Sequence, residues 1–262
     1  MNFIDNLKII ASQPSVLKSY KHLLLLSHMR ANTSLFGHVL GDHEAINGYY
    51  EMHIGYFSWK SLVRQKLLFA QHHNIKPKST YFFDKVLHSE HHVRPSLLNR
   101  PELTVIFSLR PPQTTIPSIV KLYTKVDPNH EFATKSGAVS YYIERINYLS
   151  ELSKQTASYI YIDADAIRKN TTRTLDSLTD LLGLETALVP EFAKQKLTGV
   201  GNSGDHSGYL ETGKITNKTS NYDNVQFSSE ELTELNNAYL QAKSQIISTA
   251  SASILLQSDS EQ

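Results

Sequence analysis

The sequence predicts an α/β fold in three layers, with a mainly parallel sheet between two layers of helices. Short apolar or β-branched runs, typical of buried strands, alternate with longer segments whose apolar residues recur at helical spacing. One of these runs, at 23–26, breaks directly into a polar turn that a helical pattern follows. Strands that alternate with helices favour parallel pairing, so we expect ligands at the carboxyl ends of the strands.

The individual elements follow from their own patterns. The chain should begin with a short amphipathic segment over about 5–20, interrupted at Pro14. Apolar and β-branched runs predict strands at 23–26, 79–83, 104–109 and 158–162. Helical spacing of apolar residues predicts helices from about Thr33 and at 58–72, 114–123, 137–153 and 171–182, the last of them stopped by Gly183.

The C-terminal quarter has a different composition. Residues 198–220 are rich in Gly, Ser, Asn and Thr, which is typical of a long ordered lid or a mobile loop. Ser228 and Glu231 have the spacing of a capping box, which predicts a final helix to about residue 256 and a frayed tail at 257–262. We expect one domain over 1–262, with its core at about 20–220.

Composition narrows the function classes. The chain has 26 Lys and Arg against 25 Asp and Glu, so its net charge of +1 does not predict binding to nucleic acid, and any anion site must be local. The absence of cysteine excludes disulfides, thiolate metal sites and a cysteine nucleophile, and fits a reducing compartment. Neither a signal peptide nor a transmembrane segment is indicated, so we expect a cytoplasmic protein of undetermined oligomeric state.

A first candidate anion site is the turn within 23–40, LLLLSHMRANTSLFGHVL. It presents the guanidinium of Arg30, the side chains of Asn32, Thr33 and Ser34, and the N–H groups of a helix start, all of which suit phosphate or sulfate oxygens. The Walker pattern GxxxxGK[ST] is absent, which makes an ordinary ATPase or GTPase less favoured. The alternative is that these polar residues only cap the helix.

A second candidate anion site follows the 104–109 strand. Arg110 stands at the carboxyl end of this strand, and Ser118 lies eight residues later inside the next helix. A strand-end guanidinium and a helix hydroxyl can converge on one phosphate. The alternative is a solvated or salt-bridged arginine.

These two sites resemble the nucleotide-binding motifs of the sulfotransferases that use 3′-phosphoadenosine 5′-phosphosulfate (PAPS). In that family a strand-loop-helix of the form [KR]-S-G-[ST]-[ST] holds the 5′-phosphosulfate, and a later strand followed by Arg-x7-Ser holds the 3′-phosphate. Residues 30–34 match the first motif, and Arg110 with Ser118 matches the second. The segments that also look like the bacterial branch of the family are 82–88, 141–145 and 204–215. The resemblance implies a P-loop NTPase-like sulfotransferase fold.

Two residues of the first motif depart from the family. Asn32 stands where the family usually has Gly, which a left-handed turn tolerates because Asn adopts that conformation more readily than most residues. Ala31 replaces the usual Ser and removes one hydroxyl. Both remain candidate cofactor-binding positions.

The resemblance implies sulfuryl transfer from PAPS, with PAP as product and without a metal. Arg30 would stabilise the leaving phosphate and the sulfuryl oxygens, and one base would take the acceptor proton. Glu51 is the first candidate for the base, since its context resembles the heparan-type members, and His88 is the second. Lys85 would reach the sulfuryl group or the acceptor. Each of these residues also has a structural reading, as an ion-paired, packing or surface side chain.

Other candidate residues concern the acceptor and the nucleotide. His53, Tyr50 and Tyr56 are candidate acceptor contacts, because aromatic rings suit sugars, although the same rings can fill the core. Lys214, in the loop at 204–214, is a candidate phosphate contact. The histidines around His88 read as a solvated or packing cluster, since no acidic third ligand stands in register, so no metal site is expected.

The sequence therefore predicts a PAPS-dependent sulfotransferase of EC 2.8.2 type. Its acceptor would be a hydroxyl, or an amine, on a carbohydrate or a glycolipid-like, lipid-linked molecule. Two alternatives stay open. One is a Mg²⁺-dependent, kinase-like phosphotransferase with Asp163 or Asp165 as metal ligand, and the other is an inactive nucleotide- or polysaccharide-binding module.

Overall fold

The computed structural model describes residues 3–198, 209–217 and 222–257. Its centre is a six-stranded sheet in which all five pairs of neighbouring strands are parallel, in the order β2-β3-β1-β4-β5-β6. The strands are β1 (Lys21–Leu26), β2 (Ile46–Asn47), β3 (Tyr81–Val86), β4 (Leu103–Leu109), β5 (Ile160–Asp163) and β6 (Ala252–Ile254).

The helices lie between the strands along the chain. They are α1 (Phe3–Ser12), α2 (Thr33–Asp42), α3 (Trp59–His72), α4 (Pro95–Leu98), α5 (Pro112–Val126), α6 (Lys135–Ser153), α7 (Ala166–Lys169), α8 (Thr171–Leu182) and α9 (Ser229–Ser248). Short 3₁₀ turns occupy Pro14–Leu17, Glu131–Ala133 and Tyr209–Thr212. The chain thus alternates between strands and helices as predicted.

The sheet is covered by helices on both faces. Along β1, Leu24 and Leu26 belong to one apolar cluster with residues of α3, α5, α6 and α9. Leu23 and Leu25 belong to a second cluster with residues of α2, α7 and α8. Since alternate side chains of a strand point to opposite faces, the two clusters are the two sides of the sheet, and the predicted three-layer α/β architecture is confirmed.

Several element boundaries differ from the prediction, and two of them have a clear structural reason. β3 runs over Tyr81–Val86 rather than 79–83, because Asp84 and Lys85 pair in register with Leu24 and Leu25 of β1 despite their charge. The last helix does not extend to residue 256. It ends at Ser248, and β6 then pairs with β5, an edge strand too short to show a period in the sequence. The tail residues 258–262 lie outside the described part of the chain.

The predicted start and stop signals are present where helices begin and end. Ser228 and Glu231 form both hydrogen bonds of a capping box at the start of α9. Gly183 ends α8 with a φ of 61°, in the left-handed region that glycine adopts without strain. None of the described helices combines the length and apolarity that crossing a membrane requires.

Candidate active site

The turn at 30–34 connects the carboxyl end of β1 to the first turn of α2. Arg30 and Asn32 have positive φ angles of 63° and 56°, so the backbone turns sharply twice within three residues. Asn32 therefore has the left-handed conformation expected of it. Its amide does not cap α2 but donates to the carbonyl of Ala164, at 2.8 Å, and to Asp165 Oδ1, at 2.9 Å. The first N–H groups of α2 thus lack a side-chain cap from Asn32.

Lys85 brings a second cation to this turn. It lies opposite Leu25 in the register of β3 with β1, and its side chain extends to the start of α2, where Nζ donates to Ser34 Oγ at 3.0 Å. The lysine is 6% exposed, so its charge acts where water screens it little. Arg30, Lys85 and the N-terminal end of α2 form a positive region that suits an anion.

This positive region forms one end of a cavity of about 810 Å³. The candidate residues that line the cavity are Arg30, Thr33, Ser34, Glu51, His53, Lys85 and His88. They come from chain segments up to 58 residues apart, and the carboxyl ends of β1 and β3 bring them together. The lining also includes four exposed acidic residues, which form an acidic rim: Glu90, Asp127, Glu131 and Glu144.

Glu51 is held inside the cavity in a defined position. It is 7% exposed, and its Oε1 accepts a hydrogen bond from the backbone N–H of Leu87 at 3.2 Å. The other candidate base, His88, lines the same cavity, and burial lowers the pKa of its imidazole. A neutral imidazole can accept a proton, so the geometry leaves both candidates available.

A buried carboxylate on β3 fixes the segment that carries Glu51. Asp84 accepts hydrogen bonds from the N–H of Met52 at 3.0 Å and from the hydroxyl of Tyr56 at 2.6 Å. Burial raises the pKa of Asp84 to about 7. Tyr56 is fully buried and its hydroxyl donates to Asp84, so its acceptor contact stays a prediction that this position does not favour. Tyr50 is 7% exposed and packs edge-on against Tyr49, away from the cavity lining.

The second motif, Arg110 with Ser118, lies next to the first, but its arginine is already paired with a carboxylate of the chain. Arg110 Nε donates to Asp165 Oδ1 at 2.9 Å, and Nη1 donates to the carbonyl of Arg30 at 3.1 Å. Its remaining Nη2 lies 3.4 Å from the hydroxyl of Tyr222. Ser118 accepts from Arg30 Nε at 2.9 Å. Arg110 and Ser118 therefore converge on the 30–34 turn, and each already has partners within the chain.

His28 connects the two motifs. The residue is fully buried; its Nδ1 lies 2.9 Å from the carbonyl of Met29, and its Nε2 accepts from the N–H of Arg110 at 3.0 Å. These contacts require a neutral ring with the proton on Nδ1. Burial, together with the charges of Arg110 and Arg145, lowers the pKa of His28 to about 4. No pattern in the sequence indicates this role.

The 141–145 segment supports the loops around the cavity. The hydroxyl of Tyr141 accepts from the N–H of Met29 and donates to the carbonyl of Leu87, both at 2.8 Å. Arg145 is buried and donates to the carbonyls of Ser27 and Val86, which follow β1 and end β3. The segment that resembles the family on sequence thus holds together the two strand ends that carry the candidate site.

Lys214 lies apart from these residues. It is exposed, forms an isolated antiparallel bridge with Glu191, and does not line the cavity. Of the predicted lid at 198–220, residues 199–208 and 218–220 lie outside the described part of the chain. Lys214 stays a prediction that rests on the resemblance.

The acidic residues named for the kinase alternative have structural partners. Asp163 Oδ1 forms an ion pair with Lys243 at 2.6 Å, and Asp165 pairs with Arg110. Neither residue lines the cavity that the described residues form. This arrangement does not favour a magnesium site at the end of β5.

The sheet order and the strand-turn-helix unit at β1 define a three-layer α/β protein with a parallel sheet. Two solved structures share its architecture. The sulfotransferase domain from the curacin biosynthetic pathway is 16% identical and aligns over 88% of this chain and 98% of that domain, with a TM-score of 0.58. The sulfotransferase domain from the Synechococcus PCC 7002 olefin synthase is 12% identical, over 85% and 96%, with a TM-score of 0.52. The chain has the sulfotransferase fold.

The sequence comparisons add no closer relative. No family model matches the chain, and no curated protein does. At 12–16% identity the solved structures establish the fold, and activity is a separate question.

The residues present fit the 5′ half of a PAPS-type nucleotide better than the 3′ half. The 30–34 turn and Lys85 offer cations and N–H groups to the cavity. In the second motif, the carboxylate of Asp165 lies 2.9 Å from Arg110 and would repel a 3′-phosphate. Binding there requires Arg110 to exchange a carboxylate for a phosphate.

Proposed function

We propose that this protein is a PAPS-dependent sulfotransferase that acts on a small-molecule acceptor. One observation carries the proposal: two cations, a helix N-terminus and a buried carboxylate share one cavity at the carboxyl ends of β1 and β3. An anionic donor suits the cations, and an acceptor proton needs a base at a short distance. The sulfotransferase fold agrees with this chemistry.

In the proposed reaction, the bound donor supplies a sulfuryl group with a phosphate as leaving group. The acceptor oxygen forms a bond to sulfur as the bond from sulfur to the 5′-phosphate oxygen breaks. Glu51 takes the acceptor proton, while Arg30, Lys85 and Ser34 bind the oxygens on which negative charge develops. The buried position of Lys85 strengthens its contribution, since the cavity wall excludes much of the solvent.

The size and the charges of the cavity limit which acceptors it can bind. A carbohydrate or lipid-linked hydroxyl, or an amine, fits the size of the cavity, and His53 stands at its wall as a candidate contact. The acidic rim formed by Glu90, Asp127, Glu131 and Glu144 favours a neutral or cationic acceptor over a polyanionic one.

Calorimetric titration with PAP, AMP and ATP, each with and without Mg²⁺, tests the donor assignment before any acceptor is known. We expect metal-independent binding of PAP that is tighter than that of AMP. Radiolabelled PAPS with a panel of neutral and amino sugars then tests transfer. Indifference to PAP together with Mg²⁺-dependent binding of ATP would favour the kinase alternative, and PAP binding without transfer to any acceptor would favour an inactive binding module.

A further inference from the structure

Three potential metal ligands meet beside the cavity, and two of them, Glu51 and His53, line it. Glu51, His53 and His91 each offer one ligand atom, and these atoms lie within 4.8 Å of one another. His53 Nδ1 is 4.0 Å from Glu51 Oε1, and the rings of His53 and His91 are 5.4 Å apart. The three residues come from two loops, one after β2 and one after β3, so only the fold brings them together.

The backbone and the hydrogen bonding of the two histidines are unusual. His53 has a φ of 51°, a left-handed conformation that costs a non-glycine residue energy and that is found preferentially at functional sites. His91 Nε2 is buried and has no hydrogen-bond partner among the described residues. The nearest carboxylate oxygen to it, Glu90 Oε1, is 3.6 Å away, beyond hydrogen-bonding distance.

Two imidazoles and one carboxylate form a ligand set typical of Zn²⁺ and neighbouring transition metals, whereas Mg²⁺ and Ca²⁺ prefer oxygen ligands. Tetrahedral Zn²⁺ sites have bonds of about 2.0–2.1 Å to nitrogen, which separates ligand atoms by about 3.3 Å. The ligand atoms must therefore approach one another by up to about 1.5 Å, and His53 can move because its side chain is 41% exposed.

We propose that Glu51, His53 and His91 bind a divalent transition-metal ion of the Zn²⁺ type, with water completing the coordination. The site is separate from the donor site, since none of its three ligands belongs to the 30–34 turn. It does include the carboxylate to which the proposed function gives the acceptor proton. Coordination occupies one carboxylate oxygen, and the charge of the metal lowers the proton affinity of the other, so metal binding should inhibit sulfuryl transfer. This regulatory consequence rests on the proposed function, whereas the site itself does not.

The first experiment measures metal binding with neither donor nor acceptor present. Protein stripped with a chelator is titrated with Zn²⁺ in a calorimeter, and Co²⁺ is added to a second sample to record the absorption of a tetrahedral centre. We expect one ion per chain. His91→Gln and His53→Asn should each weaken binding by at least about a hundredfold, since even residues that only support a ligand are worth 10–100-fold. Asn suits position 53 because it tolerates a positive φ.

His92→Gln is the matched control. His92 neighbours His91 in sequence, is exposed, and stacks on Phe57 instead of facing Glu51. Its replacement should leave Zn²⁺ affinity within about twofold, because it removes an imidazole without removing a ligand. Glu51→Gln gives an independent route to the same result should either histidine variant fold poorly, as judged by thermal unfolding in chelator.

Two results would overturn the site: no Zn²⁺ binding by the wild-type chain, or equal affinity in folded His91→Gln, folded Glu51→Gln and wild type. The regulatory step is tested separately. Zn²⁺ should inhibit transfer by the wild type, and chelator should restore it. Zn²⁺ binding in a protein without any transfer activity would support the site and refute the proposed function, whereas transfer without Zn²⁺ binding would do the reverse.

Discussion

The 30–34 turn and the Arg110–Ser118 pair are two arginine-containing strand ends that differ in one partner. Both follow adjacent parallel strands, β1 and β4, and both have a helix hydroxyl nearby. The first opens into the cavity, while Arg110 is paired with Asp165, a residue from the end of the next strand, β5. Whether an arginine at a strand end can bind a ligand thus depends on the side chain at the end of the neighbouring strand.

The largest effect that would test this comparison concerns the open region, which is the 30–34 turn together with the cavity residues Glu51 and Lys85. Glu51→Gln removes the proposed base and keeps its shape, so turnover should fall by at least about a hundredfold, the lower range for loss of a general base. PAP affinity should stay within about twofold, because Glu51 lies outside the 30–34 turn. Steady-state kinetics and calorimetry measure the two quantities. Near-normal turnover would move the role of the base to His88.

Lys85→Met should weaken the binding of PAP and AMP equally, by about thirtyfold. The substitution keeps most of the buried volume and removes a charge-assisted hydrogen bond to a 5′-phosphate, which both nucleotides carry. Calorimetry gives the two affinities. Lys78→Met, which removes an exposed lysine paired with Glu44, is the control and should change neither. A loss confined to PAP would place the 5′-phosphate elsewhere.

The open region could be predicted from sequence because its determinants are local. An apolar strand, a polar turn and a helix start within 18 residues specify the path of the backbone, and Asn32 alone indicates a left-handed position. The ion pair between Arg110 and Asp165 in the second motif could not be predicted in this way, because its partners are far apart in the sequence. Asp165 reaches Asn32 across 133 residues and Arg110 across 55, and the sequence indicated this carboxylate only as one of two possible Mg²⁺ ligands in the kinase alternative. His91 raises the same difficulty, since its acidic neighbour Glu51 lies 40 residues earlier.

Asp165→Asn should remove the carboxylate partner of Arg110. The Arg110–Ser118 pair, which is the closed region, should then be able to bind an anion as the open region does. Removing the carboxylate charge beside Arg110 should raise the ratio of PAP affinity to AMP affinity by about tenfold, because only PAP has a 3′-phosphate to take the vacated position. The amide keeps the shape of the side chain. Asp163→Asn, two residues earlier and paired with Lys243, should leave the ratio unchanged. An unchanged ratio in Asp165→Asn would make Arg110 a structural tie between β4 and β5.

His28 provides the smallest effect and links the two regions directly. Its imidazole has a pKa near 6.5 in the unfolded chain and about 4 in the folded protein, because burial disfavours the charged form. The unfolded state therefore binds more protons between these values, and stability falls as the pH drops through this window. From pH 7 to about pH 5.5 the loss should be about 1 kcal/mol for this one residue.

His28→Gln isolates that contribution, since the amide can still accept from the N–H of Arg110. Urea unfolding of both proteins at several pH values gives the slopes. His22 and His73, whose pKa values burial also lowers to about 4, titrate in both and cancel in the difference. A shallower slope in the variant would show that a neutral His28 joins the two arginine-bearing strand ends. Identical slopes would mean that Arg110 holds its position through Asp165 and the Arg30 carbonyl alone, and the two regions would then be coupled by charge rather than by the buried ring.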